Sequence, residues 1–290
     1  MLAELLLRLT TTAPPEMRRL GLVKEAVWLW SRATRCRKAW AAHEQRCHAV
    51  VERAVARLGR HRTVVVLGSG LCRDVPVGRL AELFERVVLV DVVHLWPVRL
   101  RLARHKNIQF AHRDVTGLAK WILGDAENRG DPLADLRGNP DVDLVISANL
   151  LSQIAICPEN WLDDHPGRAG ELPADLPSRA IGWHLDDLAA FACPVCLLTD
   201  VHMKVVDRDG RVVEETNLVA DLPMPTPDDA WDWPVAPFGE IGRHIARIHR
   251  VHGYTQWPRT GMREAVNIPR RQAGAPDRER WTPRRRPAAR

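Results

Sequence analysis

Short apolar runs alternate with amphipathic stretches between residues 62 and 200 of the chain. The apolar runs that predict strands lie at 63–67, 87–90, 108–112, 142–147 and 194–199, and helical patterns lie near 76–85, 97–105 and 178–191. A run that is apolar on both faces is typical of a strand in a parallel sheet, because helices cover such a sheet on both sides. The alternation therefore predicts an α/β fold with a doubly wound, mostly parallel sheet.

The segments on either side of this region have different patterns. Residues from about 15 to 59 place apolar side chains at three- and four-residue steps, which predicts an amphipathic helical region that ends at Gly59. The last 22 residues hold eight arginines and four prolines with almost no apolar periodicity. We therefore predict three domains: a helical N-terminal cap at 1–60, the α/β domain at 61–258, and a basic, disordered tail at 259–290.

The part of the α/β domain that follows the fifth strand has weaker signals. Asp207 to Gly210 predict a hairpin turn between two short strands, and a further strand is expected near 246–252. Three segments are predicted to be loops: the polar stretch 125–141, the proline-rich connection 158–177, and 221–240, which its tryptophans would pack.

A glycine turn directly follows the first predicted strand. Gly68 and Gly70 allow the backbone to turn sharply and to approach a ligand where a Cβ would collide. Asp91 ends the second strand 23 residues after Gly68, which is the usual separation for a carboxylate that binds a ribose hydroxyl. Both features lie at the carboxyl ends of parallel strands, where such sheets bind ligands. The pattern predicts a nucleoside-containing ligand.

The order of these motifs over residues 62–255 resembles that of the class I S-adenosylmethionine-dependent methyltransferases. The resemblance implies a class I methyltransferase-like Rossmann fold and S-adenosylmethionine as the cofactor. It also implies that the cofactor is bound by the glycine turn, by the acids after strands two and three, and by the run after strand four. The implied cofactor-binding residues are Gly68, Ser69, Gly70, Asp74, Asp91, Val92, Asp114, Val115 and Asn149.

Three features depart from the pattern of that family. Val66 stands where the family often has an acid, Cys72 replaces the third glycine, and the predicted hairpin follows strand five where the family commonly has a helix. A Cβ at position 72 narrows the approach of the backbone to a ligand. A relative that keeps the fold without turnover therefore stays an alternative.

Methyl transfer needs positioning and, for a protonated acceptor, a general base, because the cofactor supplies the activated methyl group. Asn149 and Gln153 are the candidates for orienting the acceptor, and Asp200 or His202 for the base. Each has a structural alternative: Asn149 closes a turn, Asp200 caps a loop, and His202 is a surface residue of a strand.

Other site classes find less support in the sequence. A dinucleotide site needs glycine at the sixth position of its G-x-G-x-x-G turn, and Arg73 occupies that position. Cys193 and Cys196 have metal-like spacing but no second cysteine pair. His43, Cys47 and His48 offer two ligands on one helical face with no third ligand evident, and His244, His249 and His252 are scattered. No metal site is predicted.

Composition narrows the setting and the partners. The 290 residues are 46% hydrophobic, enough for a sizeable core, and much of the net charge of +6 lies in the tail. The six cysteines without a secretory signal indicate free thiols, and we expect a cytoplasmic protein without a membrane span. A small-molecule acceptor is favoured, while the basic cap and tail leave an RNA-directed enzyme open.

Overall fold

One eight-stranded sheet organises the computed structural model, which describes residues 2–220 and 222–258. The strands are β1 (Thr63–Leu67), β2 (Arg86–Asp91), β3 (Ile108–His112), β4 (Val142–Ala148), β5 (Val195–Asp207), β6 (Val212–Asn217), β7 (Asp229–Ala236) and β8 (Ile245–Tyr254). Their order is β3-β2-β1-β4-β5-β8-β7, and β6 pairs with β5 outside this path. Strands β1 to β5 are parallel, and β8 runs antiparallel to both of its neighbours.

Helices precede the sheet and connect its parallel strands. The first four are α1 (Leu2–Thr10), α2 (Pro15–Arg19), α3 (Leu22–Arg35) and α4 (Arg37–Val55). The connecting helices are α5 (Val77–Leu83), α6 (Trp96–Leu102), α7 (Leu118–Ile122), α8 (Ala134–Arg137), α9 (Ile156–Asp164), α10 (Pro166–Ala169) and α11 (Leu176–Ala189). The predicted class, a doubly wound and mostly parallel α/β sheet with a helical N-terminal cap, is confirmed.

The two faces of the sheet pack against different helices. On one face, α4 packs on β5, β7 and β8, with Val50, Trp231 and Val251 in the core between them. A Cβ at Gly253 would lie 2.7 Å from a methyl carbon of Val50, so this glycine lets α4 approach β8 closely. On the other face, α7 and α11 cover β1, β4 and β5.

Several predicted element boundaries were wrong. Residues 229–236, predicted as part of a loop, form β7, in which Trp231 and Trp233 face the core while Asp232 faces solvent. Pro234 suggested a loop because proline cannot donate to a sheet, but it lies where the register between β7 and β8 shifts. Helices α8, α9 and α10 also form in segments that we predicted as loops.

Two further boundaries differ in ways that matter for the site. Strand β5 does not end at position 199 but continues to Asp207, so it joins the two segments that we predicted as separate strands. Helix α4 ends at Val55, four residues before the predicted terminus at Gly59, which has no positive φ. The hairpin at Asp207 to Gly210 is confirmed.

No helix among the described residues has both the length and the apolar character needed to cross a membrane. The predicted basic tail at 259–290 lies outside the described residues.

His184 makes the stability of this fold depend on pH. Its Nε2 lies 3.0 Å from Ser147 Oγ inside the core, and burial lowers the pKa of His184 to about 4 from 6.5. Between pH 6.5 and 4, the unfolded chain therefore binds a proton at His184 that the folded chain does not bind. We expect acidification from pH 7.5 to 5 to remove about 2 kcal/mol of the unfolding free energy through this residue.

Urea unfolding at several pH values measures this effect, with His184→Gln as the variant that keeps a polar side chain but does not titrate there. The slope of stability against pH should be smaller in His184→Gln than in the wild type. Equal slopes in the two proteins would contradict the assignment.

Candidate functional site

The glycine turn after β1 has the left-handed backbone that its sequence predicts. Gly68 has φ 70° and Gly70 has φ 46°. A Cβ at Gly68 would lie 2.8 Å from the Cβ of Leu150, so the run after β4 packs directly on the turn. Cys72 stands where the family has its third glycine, and it adopts φ 52° although it carries a side chain. The backbone at this position therefore keeps a conformation typical of glycine.

Asp91 joins the end of β2 to this turn. Its Oδ2 accepts a hydrogen bond of 2.6 Å from the Gly70 amide, and its Oδ1 accepts one of 3.3 Å from the Val93 amide. Burial raises the pKa of Asp91 above its usual value, although these backbone donors act against the rise. The Ser69 hydroxyl is buried beside them and interacts with the Cys72 thiol. A fixed carboxylate thus faces the glycine turn.

Asp114 follows β3 and caps the next helix. Its two carboxylate oxygens accept bonds from the amides of Thr116 and Ala119, at 2.9 and 2.7 Å, just before and within α7. Val115 is buried in the core beside it. Asp114 also lines a cavity of about 620 Å³ at this edge of the sheet, together with Met17 and residues 126–132. The structure brings neither Gly70 nor Asp91 into the lining of that cavity.

Helix α4 holds the residues that follow the glycine turn. Arg73 forms an ion pair with Glu44, with 2.6 Å between Nε and Oε1, and its carbonyl lies 2.7 Å from the ring nitrogen of His48. His43 lies 3.3 Å from Asp74. The arginine that argued against a dinucleotide turn therefore ties the turn to the cap.

A buried polar cluster connects the cap, the glycine turn and the run after β4. The side-chain amide of Asn149 donates a 2.8 Å hydrogen bond to the carboxylate of Asp74. The backbone of Asn149 has a left-handed φ of 48°. Burial tends to raise the pKa of Asp74, but the facing His43 ring and the Asn149 amide outweigh it and hold the pKa below its usual value. The side chain of Gln153 donates to the Asn149 carbonyl at 2.6 Å. Asn149 is thus fixed at the end of β4.

This cluster has the dimensions of a metal site. The Nε2 of His43 lies 3.3 Å from Asp74 Oδ1 and 3.6 Å from Cys47 Sγ, and three ligand atoms converge within 4.8 Å. Tetrahedral zinc with ordinary bond lengths has ligand separations of about 3.3 Å (N to O) and about 3.6 Å (N to S). The structure thus supplies in Asp74 the third ligand that the sequence did not reveal.

The tautomer of His43 argues against a metal at this cluster. The indole of Trp231 donates a 3.0 Å hydrogen bond to His43 Nδ1, so Nδ1 accepts and the proton lies on Nε2, which faces Asp74. A metal-bound histidine normally donates from its second nitrogen, and here a donor faces that nitrogen. Burial raises the pKa of Cys47 well above its usual value, which disfavours the thiolate that zinc binds.

A second polar group lies where β5 leaves the parallel part of the sheet. Asp200 is buried; its Oδ1 accepts from Ser152 Oγ, and its Oδ2 lies 2.5 Å from His249 Nδ1. The carboxylate requires a proton on Nδ1, which leaves the Nε2 of His249 with a free lone pair. That nitrogen is buried and has no hydrogen-bond partner in the described part of the chain. Asp200 and His249 together have the arrangement of an oriented general base.

His202, the other predicted base, does not join this group. It pairs in register with Arg250, whereas His249 pairs with Met203, so the two imidazoles lie on opposite faces of the sheet. The Nε2 of His202 lies 3.2 Å from Glu215 on β6. The sequence analysis considered His249 only as a metal ligand, and it missed the pair with Asp200 because the contact spans 49 positions and no local motif marks it.

Comparison with known proteins gives matches among solved structures alone. No family model matches the sequence, and no curated protein matches it. The 1,6-didemethyltoxoflavin-N1-methyltransferase of Burkholderia thailandensis, solved with bound 1,6-didemethyltoxoflavin and S-adenosylhomocysteine, is 17% identical with a TM-score of 0.40, over 84% of this chain and 91% of that one. The N-methyltransferase NodS of Bradyrhizobium japonicum, solved with S-adenosylhomocysteine, is 12% identical with a TM-score of 0.35, over 72% and 85%.

The 23S rRNA methyltransferase ErmE also matches, with 13% identity and a TM-score of 0.30, over 72% of this chain and 67% of that one. Scores this low assign neither ligand nor substrate to this chain. The fold is described by its own strand order, in which five parallel strands are followed by the antiparallel pairing of β8 with β5. The fold is a doubly wound, mostly parallel α/β sheet with antiparallel strands at one edge.

Metal analysis tests whether the cluster of His43, Cys47 and Asp74 is held by hydrogen bonds rather than by a metal ion. Protein produced in zinc-supplemented medium and dialysed should hold less than about 0.1 zinc per chain by mass spectrometry, because His43 presents a proton to the centre of the cluster. Trp231→Phe removes the indole donor and is the matched variant in which zinc binding should increase. One zinc per wild-type chain that disappears in His43→Ala would contradict the account.

Proposed function

We propose that this protein is an S-adenosylmethionine-dependent methyltransferase. The observation that carries the proposal is the glycine turn with Asp91 fixed across it by the Gly70 amide. Position 70 has a left-handed backbone, and a Cβ there would have no atom nearer than 3.8 Å, so the turn leaves room beside the carboxylate. The buried Ser69 hydroxyl adds a polar group to the turn.

Asp91 and the glycine turn fit the cofactor that the resemblance implied. Asp91 would hold the ribose hydroxyls, and the turn at 68–70 with Asp74 would hold the amino-acid part. Val92 would face the adenine, whereas Val115 lies in the core and Asp114 caps α7. When bound, the cofactor supplies a methyl group on a sulfonium, which is already an activated leaving group. The contribution of the chain is to bind, orient and deprotonate the acceptor.

The proposed base is His249, oriented by Asp200. The carboxylate fixes the proton on Nδ1, so Nε2 would be free to take the proton of an acceptor O–H or N–H. Asn149 and Gln153 remain the candidates for orienting the acceptor, and Asn149 has one buried oxygen without a hydrogen-bond partner among the described residues.

Binding of S-adenosylhomocysteine tests the cofactor site. By isothermal titration calorimetry we expect micromolar affinity in the wild type and a loss of at least about tenfold in Asp91→Ala, because ribose hydroxyls lose a charged acceptor. Asp232→Ala, which removes an exposed carboxylate of β7, is the matched control and should bind as the wild type does. Absence of heat at millimolar ligand in folded wild-type protein would overturn the proposal.

The base is tested once an acceptor is found by screening for transfer of a radiolabelled methyl group. His249→Gln should lower kcat by at least about 100-fold, because no group takes up the proton of the acceptor. Affinity for S-adenosylhomocysteine should stay within about threefold of the wild type. His252→Gln changes a nearby imidazole of the same strand and serves as the control; equal losses in both variants would contradict the assignment.

A further inference from the structure

Strands β5, β7 and β8 extend past the carboxyl edge of the parallel sheet and form a wall that faces α3 and α4. Strand β4 pairs with β5 only as far as Leu198, whereas β5 continues to Asp207 with β8 beside it. Positions 247, 249 and 251 of β8 alternate onto the side of the wall that faces these helices, where Val251 is part of the core. Trp233 of β7 pairs with His249 and packs against α4.

Four buried polar atoms between this wall and the helices lack a hydrogen-bond partner. They are Arg32 Nε, Arg247 Nε, Trp233 Nε1 and His249 Nε2, out of nine such atoms among the described residues. Three of the four are groups that can only donate. Buried donors in proteins nearly always have an acceptor, so donors without one on the same side of the wall point to an acceptor group that binds there.

The charges at this place favour an anion as the acceptor group. Glu240 is held by Arg35 through two hydrogen bonds of 3.1 and 2.5 Å, and its nearer oxygen is 3.7 Å from Arg32 Nε. Burial lowers the pKa of Arg247, the nearby Arg32 lowers it further, and Glu214 acts in the opposite direction. Glu214 is exposed on β6. Two guanidinium groups are therefore close together and incompletely neutralised.

We propose that the methyl acceptor carries a carboxylate or phosphate that binds between Arg247 and Arg32, with the Trp233 indole as a third donor. The identification of this anion as the acceptor rests on the proposed function. Arg247 and His249 are two positions apart on one strand, about 7 Å along β8. When the anionic group of the acceptor binds at Arg247, a nucleophilic atom a few bonds away in the same molecule therefore lies near the Nε2 of His249.

Titration of the full chain with small anions tests the site without an identified acceptor. Inorganic phosphate and acetate are the probes, added at constant ionic strength while the indole N–H resonance of Trp233 is followed by ¹⁵N NMR and assigned with Trp233→Phe. We expect a saturable shift with at least one probe, and the stronger probe identifies the kind of anion. Arg247→Gln should weaken this binding by about tenfold or more.

Arg250→Gln is the matched control, because Arg250 lies on the opposite face of the same strand and pairs with Asp232. It should bind the probes as the wild type does, and circular dichroism establishes that both variants are folded. A shift that does not saturate with either probe, or one that is equal in Arg247→Gln and the wild type, would overturn the proposal. Both outcomes are independent of S-adenosylhomocysteine binding, so failure of the anion site and failure of the proposed function are separate results.

Discussion

The hydrogen bond from the Gly70 amide to the Asp91 carboxylate is the constraint on which the rest of the site depends. It joins the turn after β1 to the end of β2, and the amides of Gly68 and Ser69 reinforce it by donating to the Val90 carbonyl at 3.0 and 3.1 Å. The bond fixes the direction of a partly buried carboxylate that would otherwise be free to rotate. A ligand that binds at this edge therefore has a preorganised hydrogen-bond acceptor in Asp91, next to the backbone of the glycine turn.

The N-terminal cap completes this edge rather than merely covering the sheet. Helix α4 reaches the glycine turn through Glu44, His43 and His48, and it packs on β7 and β8 through its apolar face. Trp231 sets the tautomer of His43, so that the protonated Nε2 faces Asp74. Asp74 in turn accepts a hydrogen bond from the side chain of Asn149. A single helix thus links the proposed cofactor turn with the wall of the proposed acceptor site.

The sequence predicted the parallel part of the sheet well because that signal is local. Runs such as Thr63–Leu67 are apolar on both faces, and the glycine turn and Asp91 follow their strands directly. Strand β7 was missed because Pro234 and two tryptophans obscured its alternation. The partners of Asp74 and Asp200 were missed for another reason: His43 and His249 meet them through long-range packing, which neither spacing nor composition encodes.

A crystal structure of the protein soaked with S-adenosylhomocysteine tests the central claim most directly. The account predicts the ribose hydroxyls within about 3.2 Å of Asp91 and the amino-acid part over the turn at Gly68 to Gly70. A crevice closed by the protein's own side chains at saturating ligand, or a nucleoside bound elsewhere on the molecule, would contradict it.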